Sequence, residues 1–163
     1  DRMLKGKPVI VPGDGLSLWT LTHNTDFAKA FVGLLANPHA LGQAVHITSD
    51  ESLTWNDVYE SIGRALNVKP KLVHIASNFL VAVDPSLEGG LIGDKSNSVI
   101  FDNSKIKSLV PGFMATVRFD QGVRRTVENI LAHPELQVLD PEFDAWCDRV
   151  IDAYTACMDS LRS

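Results

Sequence analysis

An α/β fold is predicted by two phrases in the first half of the chain, each pairing a short strand with a capped amphipathic helix. The first, Pro12 to Phe31, reads PGDGLSLWTLTHNTDFAKAF; the second, Leu41 to Asn67, reads LGQAVHITSDESLTWNDVYESIGRALN. Apolar runs closed by Gly, Pro or Asp, followed by apolar residues at helical spacing, are the pattern of strand and helix units built around a sheet. A third observation agrees: 163 residues with 45% hydrophobic content can bury roughly two thirds of the surface an unfolded chain exposes, enough for a compact body.

Taken in order, Pro8 to Val11 is a β-branched run that enters a tight turn at Pro12 to Gly15. Leu16 to Thr22 resumes an extended run, so the two can form a hairpin. Asn24 is placed to cap the next helix and Asp26 to favour its positive end, while Phe27, Ala30, Phe31, Leu34 and Leu35 supply one apolar face until Asn37 and Pro38. Ala44 to Thr48 reads as a short strand. Thr54 and Asp57 stand at capping-box spacing before a helix whose buried stripe is Trp55, Val58, Tyr59, Ile62, Ala65 and Leu66, stopped at Asn67.

Leu72 to Ile75 is a further strand, after which Ser77 is placed to cap a short helical turn through Phe79, Leu80 and Val83. From Asp84 to Asn97 the chain has three glycines, a proline and both charge signs, which reads as a mobile loop of the kind that binds or covers ligands. Val99 to Phe101 is expected as a strand and Ser104 to Leu109 as a short helix. Asp120 is placed to cap a helix carrying Val123, Val127, Ile130 and Leu131. A last helix from about Pro141 sets Phe143, Cys147, Val150, Tyr154, Cys157 and Leu161 at steps of four and three.

Charge and cysteine usage remove several function classes. A formal charge of -5 and a pI near 5.4 give no broad basic footprint, which makes nucleic acid a poor default partner. No apolar run approaches the ~20 residues of a membrane span, and the start DRMLKGK lacks a secretory apolar core, so a cytoplasmic protein is expected. Cys147 and Cys157 fall in one helix, about 15 Å apart along its axis, beyond disulfide reach. Both read as buried thiols with no catalytic or metal role.

The turn PGDG, then His23, Asn24, Thr25, Asp26, Phe27 and Ala28, resembles the C-terminal half of extended short-chain dehydrogenases/reductases, the NAD-dependent epimerase/dehydratase family. There, a GDG turn precedes a phrase His, Val, Asp, Asp, Leu, Ala. HITSDESLTWNDVYESIGRALNV resembles that family's last Rossmann strand and the helix opening its substrate lobe. FDNSKIKSLVPGF followed by FDQGVRRTVENI resembles its closing phrase. The likeness spans roughly residues 6 to 133, and the shared order of three separate phrases is what makes it specific.

The resemblance implies the C-terminal part of a Rossmann-like NAD(P)-binding fold plus a small, mostly helical substrate-binding lobe. Residues 1–50 would hold the last crossover and strand of the Rossmann-like domain, and 51–163 the lobe and C-terminal helices. NAD or NADP would serve the full-length protein. This segment alone would bind none, because no Gly-rich turn opens a helix after a strand to cradle a pyrophosphate. The family's Tyr-x-x-x-Lys acid/base pair is also missing: Tyr59 is followed at the fourth position by Gly63, and Tyr154 by Met158. No catalytic residue is therefore assigned, and the segment alone is expected to be inactive.

Substrate contacts implied by the resemblance fall on Trp19, His23, Asp94 and Lys95. Trp19 takes the place of a family Arg that pairs with a nucleotide-sugar phosphate; a neutral indole cannot make that bidentate bridge but can stack on a ring, line a pocket or simply pack. His23, with no carboxylate partner or nucleophile to assign, reads better as structural than as catalytic. Lys95 can meet an anionic group or remain a solvated charge. His46 and His74 read as core or edge residues of strands, and Lys105 as a local pairing residue.

The expected reading is a substrate-binding portion for a small polar or sugar-like molecule, completed by a missing N-terminal Rossmann half. The start without Met, directly before a strand, argues for truncation. An isolated Rossmann-edge strand would expose apolar surface and permit a homo-oligomer. Two alternatives stay open: a noncatalytic binding module, and an RNA-binding relative of the same family akin to chloroplast stem-loop-binding proteins.

Overall fold

A computed structural model describes residues 1–162. The elements are β1 (Pro8–Pro12), β2 (Leu18–Trp19), α1 (Asn24–Leu34), β3 (Leu53–Thr54), α2 (Trp55–Ala65), β4 (Lys71–Ile75), α3 (Ser77–Val83), α4 (Ser104–Leu109), α5 (Phe119–Ala132) and α6 (Pro141–Ser160). β1 and β4 pair in parallel, Pro8 opposite Lys71 and Pro12 opposite Ile75. β2 and β3 pair antiparallel, Leu18 opposite Thr54 and Trp19 opposite Leu53.

Two clusters hold the body together. Ile75, Leu80, Leu91, Val150 and Ile151 form one, with Ile10, Val73, Phe79, Trp146 and Tyr154 packed around it, so α6 is seated on the β1–β4 pair. Burying side chains of this size stabilises by about 1.5–3 kcal/mol each. The second joins Ala30 of α1, Ile47, Ile106 of α4 and Phe113. Arg2 and Lys7 bridge to Asp144 and Asp148 on α6, tying the chain start to its last helix.

Several expectations hold to the residue. The capping box forms, with Asp57 N donating to Thr54 Oγ1 at 3.1 Å and Thr54 N to Asp57 Oδ2 at 3.0 Å. Asn67 ends α2 in the left-handed region at φ 55°. The strand at Leu72 to Ile75, the helix at Ser104 to Leu109 and the last helix all form.

Others are corrected. There is no hairpin between β1 and β2: β1 pairs with β4, far along the sequence, where Val11 of one strand and Ile75 of the other are each wholly buried. His23, not Asn24, caps α1, its Nδ1 accepting from Thr25 N at 3.3 Å. Of the apolar face expected on α1, Ala30 is buried, but Phe27 and Phe31 are 47% and 49% exposed and Leu35 is exposed too. Ala44 to Thr48 and Val99 to Phe101 are not assigned as strands; Val99 N makes a backbone bond to Leu18 O.

The expected loop at 84–97 is helical, with 3-10 turns at Pro85–Leu87, an α turn at Glu88–Gly90 and a π turn at Leu91–Lys95. Burial of Leu91 in the first core explains it: one apolar anchor is enough to order a polar segment. Ser77 is the first residue of α3 rather than its cap; Ala76 stands at the N-cap position and makes no side-chain capping bond. α5 begins at Phe119, whose N–H donates to Glu51 Oε2 at 2.8 Å, so a distant carboxylate does the work expected of Asp120. Cys147 is buried, but Cys157 is exposed: it lies two turns beyond buried Val150 on the same face, where α6 has run past the core and residues 155–162 are all exposed. His46 and His74 are exposed.

Candidate functional site

Parallel strands place ligands at their carboxyl ends, and here that end is built by β1 and β4. The chain leaves β1 through Gly13, whose N–H donates to Ile75 O at 2.8 Å. Gly15 sits at φ 71°, and a Cβ there would lie 2.2 Å from Asn56 Oδ1, so only glycine fits. Asn56 reads this turn: its Nδ2 donates to Asp14 O at 3.0 Å and its N–H to Gly15 O at 3.0 Å. With Nδ2 spent, Asn56 Oδ1 accepts, so His74 Nε2, 2.8 Å away, donates.

Beyond the turn, β2 carries Trp19 and the β3–α2 junction carries Trp55. The capping box positions Trp55 at the first residue of α2. The β2–β3 register then brings the two indoles together, ring centroids 5.9 Å apart and planes 30° from parallel. Lys95 Nζ lies over Trp19, 5.9 Å from its centroid, and 3.2 Å from Asp94 Oδ2.

The π turn that bears Asp94 and Lys95, and the residues just after it, are tied to this shelf by three hydrogen bonds. Ser17 Oγ donates to Lys95 O at 2.6 Å, Leu18 N to Ser98 Oγ at 3.0 Å, and Ser96 Oγ to Ser77 Oγ at 3.0 Å. Single π turns recur at functional positions because they push one residue's worth of backbone out of register. Trp55 Nε1 is buried and has no hydrogen-bond partner among the described residues.

Three of the four residues singled out from the sequence, Trp19, Asp94 and Lys95, are thus gathered on one shelf. His23 is placed elsewhere. Its ring bonds Thr25 Oγ1 at 2.7 Å and packs so closely on α5 that a Cβ at Gly122 would lie 2.9 Å from His23 Cδ2. Trp55 and Asn56 were not legible as site residues: Trp55 matches the buried stripe of α2, and Asn56 carries no motif. The one available signal was a tryptophan immediately after a capping residue, on the side of the helix end that faces the turn.

Carboxyls held below the ordinary range serve the scaffold. Asp26 is wholly buried; although burial opposes its charge, Lys29 and the N–H groups of Val117 and Thr116 hold it down at about 2. Asp50 is lowered by Asn103 and Lys107, and Asn103 in turn donates to Thr48 O and Asp50 Oδ1, locking α4 to the 44–50 segment. Lys105, expected to pair locally, instead donates to Ala44 O at 2.8 Å, 61 residues away in the chain. Among the described residues, no group of three or more His, Cys, Asp or Glu could hold a metal ion, and no helix is long and apolar enough to cross a membrane.

No profile of a known protein family matches the chain. It is 39% identical over 61 residues to 2'-dehydrokanamycin reductase of Streptomyces kanamyceticus, a stretch that is 37% of this chain and 17% of that protein. It is 28% identical over 74 residues to chloroplast stem-loop binding protein of 41 kDa b of Arabidopsis thaliana, covering 45% of this chain and 20% of that one.

Among solved structures, an epimerase of Methanothermobacter thermautotrophicus superposes with a TM-score of 0.67 at 16% identity, over 83% of this chain and 36% of that one. The dTDP-glucose 4,6-dehydratase of Bacillus anthracis gives 0.62 at 21%, over 82% and 38%. UDP-glucuronic acid 4-epimerase of Bacillus cereus, in complex with NAD, gives 0.58 at 16%, over 80% and 37%. The chain spans a fifth or less of the two curated relatives and a little over a third of these solved chains. In fold, the chain matches the C-terminal portion of NAD-dependent epimerases and dehydratases, and one stretch of 61 residues is similar in sequence to a reductase.

Proposed function

We propose that this chain is the substrate-binding portion of an NAD(P)-dependent oxidoreductase or epimerase of the cytoplasm acting on a small polar or sugar-like molecule. Its partner would be an N-terminal Rossmann half that grips the dinucleotide and supplies the reacting groups. The observation that carries this reading is an uncovered apolar face. Phe27, Phe31, Leu34, Leu35, Val45 and Ile47 line an open cleft of about 550 Å³ along α1. Beside it runs the extended Ala44 to Thr48 segment, with no ladder partner among the described residues. Such a face and such a strand are what a neighbouring sheet would cover.

The residues present do not fit a dinucleotide. The PGDG turn follows a parallel strand but leads to β2 rather than opening a helix, so no helix N-terminus meets a pyrophosphate there. Gly89, Gly90 and Gly93 lie in helical turns anchored by Leu91. The division of labour is therefore a shelf of Trp19, Trp55, Asp94 and Lys95 that orients the reactant, and chemistry supplied from outside it.

Dinucleotide binding should be measured for the 163-residue chain and for a longer protein carrying a Rossmann half. Binding confined to the longer protein is expected; tight binding by the chain alone refutes the division. The match to a stem-loop binding protein favours a second reading, RNA binding. A charge of -5 opposes it, and a salt-dependent RNA titration separates the two.

A further inference from the structure

The Trp19 face already holds an ammonium. Lys95 Nζ lies 5.9 Å from its centroid, inside the range at which an indole attracts a cation, and the same nitrogen is 3.2 Å from Asp94 Oδ2. An aromatic face and a carboxylate around one ammonium form a ready cation site. The occupant is tethered but not fixed: the Lys95 side chain is 41% exposed, while its carbonyl is pinned by Ser17. Its side chain can swing out with the main chain in place, at the small cost of a surface ion pair.

One further observation bears on the ligand: the face of Trp19 is backed by Trp55, ring centroids 5.9 Å apart and planes 30° from parallel, which extends the aromatic surface. The segments that build the shelf, 12–20, 53–57 and 91–98, carry Asp14, Asp57 and Asp94 against Lys95 alone. That balance draws cations and opposes phosphates.

We propose that the shelf binds an ammonium-bearing sugar ring: the ligand's ammonium takes the place of Lys95 Nζ between Trp19 and Asp94, and the ring's apolar face lies on the tryptophan pair. Lys95 is then an internal competitor rather than an anion receptor. The inference rests on the substrate-binding reading above and adds the class of substrate.

The test titrates glucosamine, N-acetylglucosamine and uridine diphosphate into the 163-residue chain near pH 7, following the indole N–H resonances of Trp19 and Trp55. Glucosamine should move both signals, and N-acetylglucosamine, which keeps the ring but loses the charge, should bind about fivefold or more weakly. Lys95→Gln, an exposed change, should tighten glucosamine binding about fivefold, and Asp94→Asn should weaken it by a similar factor. The proposal is overturned if glucosamine moves neither indole in either protein, if the two sugars bind equally, or if Lys95→Gln weakens glucosamine. Uridine diphosphate binding that vanishes in Lys95→Gln would make Lys95 an anion contact and overturn it as well. Dinucleotide binding by the longer protein is read separately, so either idea can fail while the other stands.

Discussion

Replacing Asp26 by asparagine tests whether one buried carboxylate holds the α1 and α5 halves of the fold together. Asp26 is 0% exposed and accepts from Val117 N at 2.8 Å, Thr116 N at 3.0 Å and Lys29 Nζ at 2.7 Å. Its carboxyl is lowered from 3.8 to about 2, which corresponds to about 2.5 kcal/mol favouring the charged form in the folded chain. The folded value lies below the unfolded one, so this stability is fully present above about pH 4 and is lost as the pH falls through about 2.

In Asp26→Asn the shape is kept, but one amide N–H group faces main-chain donors that need an acceptor, and Lys29 loses its partner. Urea unfolding near neutral pH should show a loss of about 2–3 kcal/mol. Near pH 2 the same substitution should cost well under half of that, because the wild-type carboxyl is by then half protonated. Other lowered carboxyls titrate in both proteins, and the difference between them isolates Asp26. An equal cost at both pH values, or a cost under about 0.5 kcal/mol at neutral pH, would refute the electrostatic account.

Gly15→Ala should lower the melting temperature by about 5 °C or more, through a strained positive φ and displacement of Asn56 from the turn; a calorimetric scan checks it. Glu51→Ala should cost about 1–2 kcal/mol by urea midpoint and speed amide exchange at Phe119, since it removes that N–H's acceptor and the Arg118 partner. Molar salt should loosen residues 1–7 from α6, read as faster proteolysis near the N-terminus, because Arg2 and Lys7 are held by Asp144 and Asp148 across a partly exposed surface. Iodoacetamide under native conditions should label Cys157 alone and label both cysteines in urea; burial pushes the Cys147 thiol up and shields it.

The local signals that survive folding are those whose partners lie within a few residues. The Thr54–Asp57 capping box, the Asn67 stop and the strand at Leu72 to Ile75 were all legible, because a cap or a periodic stripe is decided by neighbours in the chain. So was the likeness to epimerases and dehydratases, carried by the order of the GDG, HITSD and DNSK phrases, which also singled out Trp19, Asp94 and Lys95, residues that the fold brings together. What the chain alone could not say was who answers whom at a distance. β1 could have paired with β2, but the burial of Val11 and Ile75, one on each strand, favours β4. The segment at 84–97 has loop composition, yet Leu91 finds the first core and winds it into turns. Glu51 caps a helix 68 residues away. Trp55 fits a buried helical stripe by its spacing, and only the β2–β3 register makes it the second wall of the Trp19 shelf. Periodicity and capping are short-range and written in adjacent residues; strand choice, remote caps and ring stacking are long-range, and are settled by which apolar surfaces and unmet donors the folded chain can satisfy together.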